Sequence, residues 1–434
     1  MRRLAMAILL GVLALPGGAD AQLQNGKDAV YEELNLFDQA FERIRQDSVD
    51  PVADGKLIGA AIAGMLAGLD PHAVYIDAAT LKSSPNAADE DEPGIGLVVT
   101  IDNGELKVIS PRDGSPAAQA GIEPGDLIFA IGKEPTYELT LAQANERLRG
   151  PVGSTVALTL RRGASAPIHV TVKRALYRPQ TVSSRLLDGN IGYLRVAGFD
   201  GGTQAAVAAA LQNLRQEAGG KLAGLALDLR NNPGGNFDTA VKLADAFIDS
   251  GDVAVIKGRD PAATKRIAGT PGDLVKGLPI VAIVNAGTAR EAELVAGALQ
   301  DGHRALLLGT RTYGDGNIET LIPLDSGGAI RLTTARFTTP SGREIQGKGL
   351  APDLVVTPIK LEKLAGGEGL HEADLPGALK NPDQPSVGAA APMPPARPAP
   401  SVATAKIGSA DDEQLTEAVD ILRGLAVFNP HASG

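Results

Sequence analysis

Apolar positions recur at helical spacing from residue 30 to 69, through Leu34, Leu36, Phe37, Phe41 and Ile44 and then Leu57, Ile58, Ala61, Ile62, Met65 and Leu66. Asp50-Pro51 interrupts the run and predicts two helices instead of one. After the acidic, proline-containing patch at 89–93 the rhythm changes. Short alternating runs at 96–101 and 106–109, separated by the turn Asn103-Gly104, predict a small β-rich domain from about 94 to 172. Within it, SPAAQAG predicts a short helix, Glu123-Pro124-Gly125-Asp126 a turn, and 127–131 a strand. TLAQANERLRG then predicts an amphipathic helix before a strand at 155–161. Beyond Leu186 the two periods alternate: strands at 191–196, 224–229, 280–284 and 305–308, with helices at 203–217, 237–248 and 292–300. Such alternation is the signature of an α/β sheet domain. Residues 382–400 are rich in Pro and Ala and read as a linker, and 411–425 as a last amphipathic helix.

Composition narrows the chemistry. A formal charge of -10 excludes the basic face that nucleic acid or an anionic membrane needs. Aromatics at 3%, with no Trp, argue against a stacking platform for sugars or bases. The absence of cysteine removes disulfides, thiolate metal sites, cysteine nucleophiles and a lipidated N-terminal Cys. His72, His169, His303, His371 and His431 show no metal-ligand spacing, so no metal or cofactor is expected and each reads as a plain surface or core residue. Arg2 and Arg3, an apolar run from 4 to 16, and Ala19-Asp20-Ala21 have the form of a secretory signal over residues 1–21. The run is too short to span a bilayer comfortably, which places the mature chain in the periplasm or outside the cell.

Gly94-Ile95-Gly96-Leu97 can converge backbone N–H groups into a nest for a peptide's terminal carboxylate, with the peptide added as a strand alongside. With SPAAQAGIEPGDLIFAIG behind it, this segment resembles a PDZ domain. GMLAGLDPHAVYID upstream, and GLALDLRNNPGGNFDTAVKLADAF, IVAIVNAGTAREAELVAGALQDGHRALLLGTRTYGDGNIET and IRLTTARFTTPSGREIQGKGLAPD downstream, extend the likeness. Together they resemble the C-terminal processing peptidases, PDZ-containing serine peptidases of family S41.

That family carries its nucleophilic Ser in a stretch of the form N-x-G-S/T-A-S-A-S/A-E, with a Lys general base and a Gln that orients it. A neutral, desolvated Lys amine can take the Ser proton. Here the stretch reads Asn285-Ala286-Gly287-Thr288-Ala289-Arg290-Glu291-Ala292-Glu293, with Arg290 at the nucleophile position. Asp315, 25 residues on, stands at the Lys position, and Glu319, four further, at the Gln position. Arginine stays protonated near neutral pH and cannot attack a carbonyl. One cation facing two carboxylates could instead fill the cleft as a charge-assisted network. Thr288 is the nearest hydroxyl. Gly234 and Gly235, in the turn Asn232-Pro233-Gly234-Gly235, correspond to the family's oxyanion-type turn and are expected here to shape the strand-to-helix connection.

The resemblance implies an α/β multidomain protein: a signal peptide (1–21), an N-terminal helical region (22–90), a PDZ domain (91–175), a ClpP/crotonase-like peptidase core (176–360), a Pro/Ala-rich linker (361–409) and a C-terminal helix (410–434). It further implies a homodimer or larger oligomer. The expected function is an exported pseudopeptidase that binds peptide or protein C-termini and serves as scaffold, adaptor or regulator, with an active paralogue or an envelope protein as partner. The alternative is an endopeptidase with rearranged catalytic residues.

Overall fold

The computed structural model describes residues 18–83, 93–137, 139–177, 180–325, 327–358 and 406–428. Most of the expected signal segment and of the linker lies outside the described residues. The chain divides into two compact units, one ending at Leu69 and the other beginning at Asp70. No helix among the described residues is long and apolar enough to cross a membrane.

The first unit is a helix pair, α1 (Gly18–Asp47) and α2 (Asp54–Ala67), parted near Pro51 as the sequence requires. Arg45 Nε lies 3.4 Å from Asp54 Oδ1 and ties the two together. Tyr31, Leu34, Phe37, Ile44 and Met65 are exposed.

The second unit opens with strand β1 (Val74–Ile76) and helix α3 (Ala78–Ser83), followed by a β-rich domain. That domain comprises β2 (Leu97–Asp102), β3 (Glu105–Pro111), α4 (Pro116–Gln119), β4 (Leu127–Ile131), β5 (Glu134–Pro135), α5 (Leu141–Leu148), β6 (Thr155–Arg161) and β7 (Ile168–Lys173). Its antiparallel sheet runs β2-β3-β4-β6-β7, which leaves β2 at an edge. Alternate residues such as Val99, Leu106, Val108, Ile128, Leu158 and Leu160 fill one core with Ala144 and Leu148 of α5. Thr140 and Gln143 cap α5 reciprocally, each side chain accepting from the other's backbone N–H, at 3.3 and 2.9 Å. Asp126 is buried in the predicted turn and takes two 2.8 Å bonds from Arg162.

The α/β core follows: β8 (Val182–Leu187), β9 (Ile191–Val196), α6 (Thr203–Glu217), β10 (Gly224–Asp228), α7 (Phe237–Asp245), β11 (Asp252–Gly258), β12 (Lys265–Ala268), β13 (Ile280–Val284), α8 (Glu291–Asp301), β14 (Ala305–Gly309), β15 (Asn317–Pro323), β16 (Ala329–Thr338), β17 (Leu354–Val355) and α9 (Glu413–Phe428). Its main sheet runs β17-β14-β13-β10-β9-β8, parallel except for β8. Every residue of β9, β10 and β13 is buried, because helices cover both faces. Leu225, Leu227, Ala282 and Val284 face a core shared with α6, α7 and α8, while the intervening Ala226, Val281 and Ile283 face Leu415, Ala418 and Leu422 of α9. A second sheet, β1-β16-β11-β12 with β15 on β16, stands beside the first. β1 pairs with β16 in the register Val74↔Arg331, so residues 70–76, expected in the helical region, are built into the core.

Candidate functional site

Three loops meet at the carboxyl ends of β10, β13 and β14, the crevice where open parallel sheets place their ligands. The loop after β13 ends in Arg290, which precedes α8 at φ 53 and ψ -119. A side-chain-bearing residue held at positive φ is strained, and such strain concentrates where a fold presents a side chain sharply at a helix start.

Arg290 Nη1 lies 3.3 Å from Glu319 Oε1, and its Nε lies 3.8 Å from Glu291 Oε2 and 4.0 Å from Asp315 Oδ2. Arg290, Asp315 and Glu319, the residues that the sequence resemblance aligned with Ser, Lys and Gln, thus meet as one ion cluster. Two further residues join it. Arg331 Nε stands 3.4 Å from Glu319 Oε2, and His72 places Nε2 3.9 Å from Asp315 and Nδ1 4.0 Å from Glu319. The Asp315 side chain is only 3% exposed and Arg290 28%, so the pairs interact in a partly water-excluded space. Burial alone would lower the Arg290 pKa, but the carboxylates of Glu291, Glu319 and Asp315 more than offset it and hold the guanidinium charged.

Glu293 organises this region from below. It accepts from Arg290 N at 3.1 Å, Gly314 N at 2.8 Å, Asp315 N at 2.9 Å and the Thr312 hydroxyl, locking the first turn of α8 to the loop after β14. Burial pushes its carboxyl up to about 7 against those hydrogen bonds. Thr288 is fully buried. Its hydroxyl donates to Leu229 O at 2.9 Å and accepts from Asn285 N at 3.0 Å, so it faces protein and not the cleft.

The turn after β10 is held by Asn232, whose side chain donates to Val196 O at 3.0 Å and accepts from Gly234 N at 2.9 Å. Gly234 has φ 96, and a Cβ there would fall 2.2 Å from Glu291 Oε2. Gly235, at φ 148, has room for no Cβ either, since Phe199 O would be 2.2 Å away. The Gly235 N–H donates to Glu291 Oε2 at 2.9 Å. The side chain of Glu291 is 5% exposed, and burial raises its pKa. Sequence reasoning did not single out Glu291. The signal was present, since the family pattern has Ala there.

Gly94 exchanges backbone bonds with Ala175, at 3.1 and 2.9 Å, and closes the β-rich domain at its entry. Ile95 is buried at 1% exposure, its carbonyl accepting from Ala117 N at 2.9 Å. Gly96 has φ 73, and a Cβ there would fall 2.3 Å from Ser115 Cβ. Leu97 begins β2, whose second edge carries no strand among the described residues. This domain and the core touch near the cleft. Ser110 Oγ donates to Asn231 O at 2.9 Å. Arg195 of β9 grips Asp113 through two nitrogens, one at 2.6 Å, and reaches Asp228 at 3.1 Å. Arg230 continues the buried chain of charges to Asp228 and to Asp412, at 2.5 and 2.6 Å. Among the described residues no group of three or more His, Asp and Glu is set to hold a metal ion.

An edge-strand peptide domain joined to a parallel-sheet core with its cleft at a strand–turn–helix defines the class, a PDZ-containing protein with the fold of a serine peptidase. Comparison with known proteins agrees. Peptidase family S41 matches residues 190–356, a PDZ domain 107–162, and the activating protease CtpB N-terminal domain 17–80. A carboxy-terminal-processing protease of Bartonella bacilliformis is 39% identical over 403 residues, covering 92% of this chain and 90% of that protein. The carboxy-terminal processing protease CtpA of Bacillus subtilis is 33% identical over 328 residues, or 75% and 69% of the two chains. Among solved structures, the photosystem II D1 C-terminal processing protease matches with a TM-score of 0.64 at 30% identity, over 74% of this chain and 86% of that one. The chain belongs to the carboxy-terminal-processing proteases of peptidase family S41.

Proposed function

We propose that this member of the family is a noncatalytic peptide-binding protein, which holds peptide or protein C-termini at Gly94-Ile95-Gly96-Leu97 and acts as scaffold, adaptor or regulator in the cell envelope. The observation that carries the reading is Arg290 at the nucleophile position, 3.3 Å from Glu319 at the position of the orienting Gln. Acyl transfer needs a nucleophile and a base that removes its proton. A charged guanidinium is neither, and Asp315 has no hydroxyl at position 290 to deprotonate. The competing reading, an endopeptidase with rearranged residues, would turn first to Thr288, but that hydroxyl is buried and bonded on both sides.

The envelope location rests on the signal-like N-terminus. An oligomer is supported by the exposed apolar residues of α1 and α2, and the partners in view are an active paralogue or an envelope protein. The test is fluorescence anisotropy with a labelled peptide ending in apolar residues, free or amidated at its C-terminus, followed by mass analysis of the peptide. The free acid should bind at least about tenfold more tightly, the worth of a charge-assisted hydrogen bond, and come back intact. Equal binding of acid and amide would remove the carboxylate loop from the account. A shortened peptide would remove the noncatalytic reading.

A further inference from the structure

We propose that Glu291 is a built-in occupant of the oxyanion-type turn, and that its carboxylate closes the cleft to a substrate carbonyl independently of Arg290, Asp315 and Glu319. The inference rests on the noncatalytic reading and adds a fourth determinant to it.

In acyl transfer the carbonyl oxygen gains negative charge, and backbone N–H groups must wait, unpaired, where that charge appears. Here the Gly235 N–H is already engaged. It donates to Glu291 Oε2 at 2.9 Å. The oxygen rests directly on Gly234, 2.2 Å from where a Cβ would stand, so the absence of a side chain at Gly234 is what admits it. Arg290 Nε, 3.8 Å away, supplies a countercharge on the open side.

The carboxylate therefore occupies the volume, the donor and the sign of charge that a tetrahedral intermediate would need. A carbonyl oxygen entering the turn would have to displace it, and one developing charge beside it would meet a like charge. Restoring the nucleophile removes the Arg290 countercharge but leaves this obstacle in place, because the hydrogen bond from Gly235 N–H to Glu291 does not depend on Arg290, Asp315 or Glu319.

The experiment compares two reconstructed full-length chains, Arg290→Ser/Asp315→Lys/Glu319→Gln and the same with Glu291→Ala, in cleavage of an unfolded protein with an apolar C-terminus. The fourfold variant should cut at least about a hundredfold faster, the scale of losing one oxyanion donor. If the threefold variant cuts as fast, the inference is overturned while the noncatalytic reading of the natural chain stands. Cleavage by the natural chain would overturn that reading instead. Both reconstructions could be silent through misfolding, so hydrogen exchange at the Gly235 amide is measured in the natural chain and in Glu291→Ala alone. Exchange should quicken at least about tenfold in the variant, with its circular dichroism unchanged, and an unchanged rate overturns the inference.

Discussion

Replacing Arg290 tests how the cleft is held together. Its nearest charge contact, 3.3 Å to Glu319, corresponds to a gross attraction of about 5 kcal/mol at an effective dielectric of 20. Desolvation cancels much of that, but removing one member of a buried pair strands the other, at about 3–5 kcal/mol when burial is complete. Arg290 retains 28% exposure and Glu319 keeps Arg331 at 3.4 Å, so Arg290→Ala should destabilise the core by about 2 kcal/mol, below that range. Arg290→Gly loses the same contacts but relieves a side chain held at φ 53, and should recover about 1 kcal/mol relative to Ala. In scanning calorimetry the core transition should fall by about 5 °C for Ala and by less for Gly. Adding Glu319→Gln to Arg290→Ala should restore part of the loss, since the stranded charge goes with it. An Ala variant as stable as the natural chain, or a Gly variant less stable than Ala, would refute the ion-cluster account.

Two more outcomes follow from buried groups. Glu293 has its carboxyl raised to about 7 in the folded state, so its contribution to stability is fully present below its unfolded value and lost as pH rises through about 7. Urea titrations between pH 5 and 7.5 should therefore show stability falling by up to about 3 kcal/mol, and Glu293→Gln should flatten that slope. Leu422 of α9 is fully buried against β9, β10 and β13. Leu422→Ala should cost about 2–5 kcal/mol and expose the C-terminal helix to limited proteolysis, whereas a protease-resistant variant would show that the remaining contacts of Leu415, Ala418 and Gln414 hold α9 without it.

Arg290, Asp315 and Glu319 were legible in the sequence because the matching blocks align without a gap, so their spacing names the positions directly. β9, β10, β13 and β14 of the main sheet were legible for a related reason, being short apolar runs almost wholly buried, whereas β8 and β17, partly exposed, carry no such run. What the sequence hid is what depends on long-range pairing. His72 read as an ordinary histidine, since nothing local links it to residues more than two hundred positions away. Pairing of β1 with β16 brings its segment to Arg331 and the cluster. β15 and β16 escaped notice because their burial does not alternate, one edge of the hairpin lying open. Glu291 was visible as a departure from Ala, but its partner is a backbone N–H, which no side-chain pattern records.

The most direct test of the account is to incubate the purified natural chain with an unfolded protein bearing an apolar C-terminus and follow both by intact-mass analysis. The substrate should keep its full mass while remaining bound. Truncated products that vanish when Thr288 or Asp315 is replaced by Ala, in a preparation free of other proteases, would contradict it.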